Sequence, residues 1–359
     1  MHRLAVALGR MKFDGFIVAI LAAVLVASVL PASGRTAGHL DIGIQVAVAV
    51  LFFMYGGRLE PRQALRGLTH WRLHLLILAF TYALFPLVGV LLTPVLGVLL
   101  PPALVSGVVY LCLIPSTVQS SITFTSIARG NVAGAVVSAS VSNLIGVLLT
   151  PALVLLVMSG GSGAGIQARA VVDLVLQILL PFVGGQLSRR WTGAWLAANG
   201  SWLKYVDRGV IVAVVYSAFS RGMREGMWTQ VSGRDLAVVA VVTTVLLAFM
   251  LQATRVTARR CGFDRADTIA VQFCGTKKSL ATGLPMALVL FPGQQVGLLV
   301  LPLMLFHQIQ LMACSVIAQR YAREDIPSDP EGGLSRRSGR PTAPDGSETD
   351  LPPDGPVRE

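Results

Sequence analysis

Two adjacent lysines, Lys277 and Lys278, lie inside a stretch, residues 268–291, that otherwise reads as a membrane-spanning helix. A charge at bilayer depth costs about 2.5–3.5 kcal/mol on insertion scales, so such a pair needs a partner or a watery cavity. An ammonium there can neutralise a bound anion, and it can also stand in for a metal cation. Gln272, Thr276 and Ser279 flank the pair, and Gly275, Gly283 and Pro285 weaken the helix around it. A second polar cluster interrupts residues 104–127, where Pro115 is followed by Gln119, Ser120, Ser121, Thr123, Thr125 and Ser126. Proline removes a backbone donor and frees carbonyls that need new partners. Hydroxyl and amide oxygens beside unwound backbone are the groups that hold sodium or the polar part of a substrate. One or two hydroxyls would only glue helices together in lipid; this density after a proline points to a site.

Neighbouring residues on a helix point about 100° apart, so both lysines can face one polar cavity only if the helix breaks. The break is expected near Gly275–Thr276. Further polar groups lie on two more apolar stretches. Ser138 and Ser142 are four apart and share a helix face, with Ser140 and Asn143 beside them. His307, Gln308 and Gln310 form a cluster at moderate depth near the end of the chain. Gly130 and Gly134 form a G-x-x-x-G, which reads as close helix packing. His70 and His74 have metal-like spacing but sit beside Trp71 and Arg72, so they read as an interfacial anchor. The G-x-S-G of Gly160–Gly163 falls in a flexible linker with no dedicated base, and there is no H-E-x-x-H, paired intramembrane aspartate or P-loop. The chain therefore does not read as an enzyme.

The elements that must position these residues are membrane spans. Of 359 residues 54% are hydrophobic and only 13% charged, against about 25% charged in soluble domains. Ten apolar stretches of membrane-crossing type recur, at 13–30, 40–56, 73–92, 104–127, 132–158, 170–187, 206–219, 236–253, 268–291 and 296–318. The seventh is short and opens on Asp207 and Arg208, which by length alone also fits a re-entrant segment. The charge pattern decides for a span. Arg58, Arg62, Arg66, Arg72, Arg129, Arg189, Arg190, Lys204, Arg255, Arg259, Arg260 and Arg265 then fall on one side with the N-terminus, Arg320 and Arg323. The other side receives only Arg35, Arg169 and the loop from Arg221 to Arg234. That asymmetry puts both termini in the cytoplasm and the chain in the inner or plasma membrane. It also removes nucleic acid as the reason for a net charge of +11. The lipid bilayer is the partner instead. The N-terminal apolar stretch follows Arg3, Arg10 and Lys12 like a signal peptide, but reads as an uncleaved first helix. Cys112, Cys261, Cys274 and Cys314 have no metal or redox spacing and read as buried thiols.

A Gly-Ser linker at 159–165 divides the chain into two sets of five spans, residues 1–158 and 166–323, followed by a tail at 324–359 whose Pro, Gly, Ser, Asp and Arg content predicts disorder in the cytoplasm. An odd number of spans per half turns the halves over relative to each other. The fold class expected is thus an all-α polytopic membrane protein: ten transmembrane helices as two inverted five-helix repeats, broken at spans four and nine, with the site near the midplane.

Six segments carry a family resemblance: Leu51-Phe-Phe-Met-Tyr-Gly56, His70-Trp-Arg-Leu-His74, Gln119-Ser-Ser121, Ala128-Arg-Gly-Asn-Val-Ala133, Phe273-Cys-Gly-Thr-Lys-Lys-Ser-Leu280 and Leu301-Pro-Leu-Met-Leu-Phe-His-Gln-Ile-Gln310. Over residues 10–322 the chain resembles the bile acid:sodium symporter superfamily, in its SBF-like branch of bacterial proteins related to the seventh member of solute carrier family ten. The resemblance implies a panel and a core domain, with helices four and nine crossing at their broken centres where sodium and organic anions bind. It implies sodium-site positions at Ser120 and Ser121 and a third-helix ligand position near Thr81. Ala135 stands where the symporters carry a hydroxyl. Sodium-coupled relatives use a glutamate on the ninth helix, whereas this chain has Gln272 nearest that place and Lys277 and Lys278 after it. A tethered ammonium supplies there the charge that sodium would otherwise supply.

The function expected is a secondary active transporter of a small organic anion by alternating access. Either lysine, with the N-termini of half-helices, is expected to neutralise the substrate while the Ser/Gln cluster orients it. No cofactor is expected; coupling to sodium, to a proton exchanged at lysine, or to no ion stays open, and oligomeric state is not legible. The rival class is a non-transporting membrane regulator of ion homeostasis, which would give no substrate-dependent flux.

Overall fold

The computed structural model describes residues 15–58, 70–158, 175–291 and 295–324, and every regular element among them is helical. The 159–165 linker, the Gly160–Gly163 segment and the tail after Glu324 lie outside the described residues. Helices α1 (Gly15–Val29) and α2 (Gly34–Arg58) lead to α3, which runs Trp71–Leu99 through a π-helical turn at Phe80–Leu84. Next come α4 (Pro102–Leu113), α5 (Gln119–Ile127) and α6 (Val132–Met158). After a π-helical turn at Val175–Leu179 follow α7 (Leu180–Ala198), α8 (Gly200–Arg224) and the one-turn α9 (Met227–Gln230). The chain continues through α10 (Gly233–Arg260), α11 (Arg265–Thr276), α12 (Leu280–Leu290) and α13 (Val296–Glu324).

Five helices, α2, α3, α6, α10 and α13, are long and apolar enough to cross a bilayer by length and composition, and α4 and much of α1 are shorter apolar helices. Large apolar side chains such as Leu91, Val98, Leu156, Val241 and Val245 face outward. Lipid tolerates such a surface, whereas water does not. The chain is a multi-pass membrane protein. The span expected at 206–219 sits inside α8, 25 residues long, so the apolar stretch understated the helix.

The two polar spans are broken, each into two helices: α4 and α5 flank residues 114–118, and α11 and α12 flank 277–279. The second break falls just after Gly275–Thr276. Gly275 stays helical, and a Cβ there would lie 3.2 Å from Thr254 and 3.4 Å from Phe80, so this glycine serves close packing. Local starts follow the sequence. Ser232 and Asp235 form a capping box on α10, and Asp264 and Ser279 cap α11 and α12.

Packing sorts the helices into two groups. α1, α2, α7 and α8 pack on one another, while α3–α6 and α10–α13 form the other group; α8 joins them through α12 and α13. Gly56 and Gly185 bring α2 and α7 into backbone contact: a Cβ on Gly56 would fall on the carbonyl of Phe182, and one on Gly185 on that of Phe53.

Candidate functional site at the paired helix breaks

Interrupting a helix orphans carbonyls on one side and N–H groups on the other, and in a membrane each needs a partner. At the first break Pro115 cannot donate to the preceding turn, and the freed carbonyls are met one by one. Cys112 and Ile114 accept from the Lys278 ammonium at 2.9 and 2.8 Å. Leu113 accepts from Thr150 at 3.0 Å, Pro115 from the N–H of Ser279 at 2.9 Å, and Ser116 from Asn143 Nδ2 at 2.7 Å. Across the junction the Ser116 hydroxyl donates to Cys274 O at 2.6 Å, and Ser121 donates to Phe273 O at 3.4 Å. The two breaks are therefore stitched directly together.

The second break is closed by one amide. Gln310 Oε1 accepts from the N–H of Lys278 at 3.0 Å, and its Nε2 donates to Lys278 O at 2.9 Å while lying 2.9 Å from His307 Nδ1. Thr282, bonded to Asn143 Oδ1 at 2.9 Å, ties the start of α12 to α6. Asn143 thereby holds both breaks at once.

The lysines separate because Lys277 is extended, and successive side chains of an extended backbone point to opposite sides. Both are fully buried. Lys278 runs toward α3 and α4, where its third bond goes to Thr81 O at 3.0 Å and the Phe85 ring lies 4.2 Å from Nζ. Lys277 runs toward α5, with Nζ 3.9 Å from the Phe124 ring centroid, 6.0 Å from that of Phe273, and no hydrogen-bond partner.

Two adjoining cavities of about 390 and 520 Å³ open beside the paired breaks, between the two helix groups. Of the polar residues singled out in the sequence, Gln119, Ser120, Thr123, Ser140, Asn143, Ser279, His307 and Gln308 line them. Thr81, Ser121, Thr125, Ser138, Ser142, Gln272, Thr276, Gln310 and both lysines are buried outside that lining. Several of them bond within the protein: Ser142 Oγ accepts from Ser116 N at 3.3 Å, Thr276 donates to Gln272 O at 2.6 Å, and Gln272 bridges Leu251 O and the Tyr321 hydroxyl. Thr125 is buried with its hydroxyl unpartnered. His74 is no surface anchor; it is buried and pairs with Ser138 at 2.6 Å, while His70 is exposed. Ser138 and Ser142 both face inward, Gly130 and Gly134 pack closely against Ile269 and Leu73, and Cys112, Cys274 and Cys314 are buried thiols with Cys261 exposed.

The cavity charges were missed as site residues. Arg58, Lys204, Arg208 and Asp207 line the two cavities, and Arg58 pairs with Asp207 at 2.8 Å. In the sequence they looked like boundary charges, although Lys204 and Arg208 are four apart on one face of α8. The available hydroxyls are mixed in their setting. Ser120 lines the cavity and lies 2.6 Å from Thr117, whereas Ser121 lies behind it, 3.3 Å from the same Thr117 hydroxyl. The N-terminus of α5 has no side-chain cap, so its first N–H groups favour negative charge next to Gln119. At the other end of α2 and α8, Asp41 pairs with Arg221 at 2.9 Å beside a third cavity of about 130 Å³ that also touches α12 at Leu288 and Val289.

Stitched broken helices beside a charged cavity, in a multi-pass membrane protein, define the class of membrane transporters. Residues 14–323 match the model of the SBF-like CPA transporter family, and the chain belongs to that family, within the bile acid:sodium symporter superfamily. It is 51% identical to Uncharacterized protein PA2026 of Pseudomonas aeruginosa over 310 residues, 86% of this chain and 93% of the relative. It is 47% identical to YfeH of Escherichia coli strain K12 over 311 residues, covering 87% and 93%. It is also 30% identical to Sodium/bile acid cotransporter 7 of Rattus norvegicus over 317 residues, covering 86% and 93%.

Proposed function

We propose that this transporter moves a small organic anion by alternating access, with ten transmembrane helices in two inverted repeats of five, residues 1–158 and 166–323. The observation that carries the reading is a lopsided pair of openings. Large cavities lie against the Arg58–Asp207 end of α2 and α8, a small one lies against the Asp41–Arg221 end, and the stitched breaks of the other helix group sit beside α8. Asp41 and Arg58 are 17 positions apart on α2, about 25 Å at 1.5 Å per residue. The openings thus belong to opposite faces of the membrane. The two-group packing supports the repeat, since the first two helices of each half join one group and the remaining long helices the other.

The substrate anion meets Lys204 and Arg208 from α8, with Gln119, Ser120, Ser279, His307 and Gln308 orienting its polar atoms. The lysine pair acts from behind this wall, shaping the breaks rather than touching the substrate. The charge rule sets the large opening toward the cytoplasm of the cell membrane, with both termini on that side.

Uptake into proteoliposomes, screened over sulfated, carboxylated and steroid anions, tests this. One of these classes is expected to accumulate. Lys204→Ala and Arg208→Ala are each expected to raise its KM about tenfold, the worth of one charge contact of about 1.4 kcal/mol. Absence of flux for every anion would favour a non-transporting regulator.

A further inference from the structure

Lys278 occupies a cage of three backbone oxygens. An ammonium has three N–H donors and no acceptor, and the three carbonyls of Thr81, Cys112 and Ile114 use all of them at 3.0, 2.9 and 2.8 Å. Thr81 O is free for a covalent reason, and the other two for a conformational one. In the π-helical turn of α3 the N–H of Phe85 returns to Phe80 O, so the next donor in that register, for Thr81 O, would be position 86. Position 86 is a proline and has no N–H. Cys112 and Ile114 end α4 at the first break, where the would-be donor to Cys112 O, Ser116 N, turns to Ser142 instead. Unwound carbonyls and half-helix C-termini are the groups with which broken-helix carriers hold monovalent cations. Oxygen distances of 2.8–3.0 Å exceed the roughly 2.0–2.6 Å of magnesium and calcium coordination. The cage is sized for an ammonium or a large monovalent ion.

We propose that Lys278 is a covalently held substitute for a bound monovalent cation, so that this carrier moves its anion without drawing on a sodium gradient. The charge a dissociable ion would bring on each cycle is anchored to the α11–α12 break and never leaves. This rests on the transport reading above for its flux arm, and on the cage alone for its stability arm.

Three readouts test it. Purified Lys278→Ala is expected to unfold at a lower temperature in choline chloride and to recover on replacing choline with ammonium or methylammonium at equal ionic strength; equal behaviour in all three salts overturns the cage. The wild-type unfolding midpoint is expected to be the same in sodium and choline chloride, and a rise specific to sodium overturns the substitution even if Lys278→Ala does not accumulate. Wild-type uptake of the accepted anion is expected to be unchanged when sodium is replaced by choline on both sides, and a sodium-dependent uptake refutes it. If no anion is taken up at all, the transport reading fails while the two stability readouts still decide the cage.

Discussion

Replacing the two lysines singly with methionine separates their roles. Methionine keeps an unbranched stem of similar length, so the perturbation is loss of the ammonium. In Lys278→Met three buried carbonyls lose their only donor among the described residues. Stranding a buried acceptor costs about 1–3 kcal/mol each, offset in part because an ammonium no longer needs to be desolvated. The net loss is about 3–5 kcal/mol, comparable with breaking a buried charge pair from one side. Lys277→Met is a different experiment. Its Nζ has no hydrogen-bond partner and lies over the Phe124 face at 3.9 Å, with the Phe273 ring at 6.0 Å. The lost cation–π contact is worth about 2 kcal/mol when desolvated, while burial of an ammonium costs several. Lys277→Met should therefore be neutral or more stable by about 1–3 kcal/mol. The assay is unfolding in detergent followed with a thiol-reactive fluorophore, because Cys112, Cys274 and Cys314 are buried and Cys261 supplies a constant baseline. Equal losses in the two variants, or a larger loss in Lys277→Met, would refute the assignment of three bonds to one lysine and none to the other.

Other perturbations follow from the same geometry. Gly56→Ala and Gly185→Ala drive a methyl group into the backbone of the facing helix and should each lower stability by more than about 3 kcal/mol, whereas Gly43→Ala, with nothing within 4 Å of the new Cβ, should raise it by up to about 1 kcal/mol; paired unfolding midpoints check this. Asn143→Ala unties Ser116 O and Thr282 at once and should reduce both stability and anion uptake, by about 2 kcal/mol in the former. A double-mutant cycle on Arg58 and Asp207, whose side chains are 26% and 18% exposed, should give a larger coupling than one on Arg221 and Asp41 at 30% and 33%, about 1–2 against 0.5–1 kcal/mol.

Both breaks were legible because their causes are covalent and local. Pro115 removes a donor, and two lysines within an apolar stretch cannot share one helix face. What sequence reasoning could not supply were partners distant in the chain. Gln310, 32 positions beyond Lys278, closes the second break. The π-helical turn that frees Thr81 O has no hydropathy signature; its one local sign is Pro86. The cavity charges were hidden for another reason. Arg58, Lys204, Asp207 and Arg208 stand at the margins of apolar stretches, where hydropathy reads a charge as a boundary, yet α8 begins at Gly200 and carries three of them into the cavity wall. The lysines drew attention because charge in lipid is rare, and that rarity marks a structural cation as readily as a ligand for substrate.

The most direct measurement is counterflow. Proteoliposomes preloaded with an unlabelled accepted anion are diluted into the same anion carrying a label, with no ion gradient across the membrane. Alternating access through the paired breaks should give a transient accumulation of label above the external level, lost in Asn143→Ala and kept in Gly43→Ala. Label that only equilibrates, or that enters equally fast without preloading, would contradict a carrier with one site exposed to each face in turn.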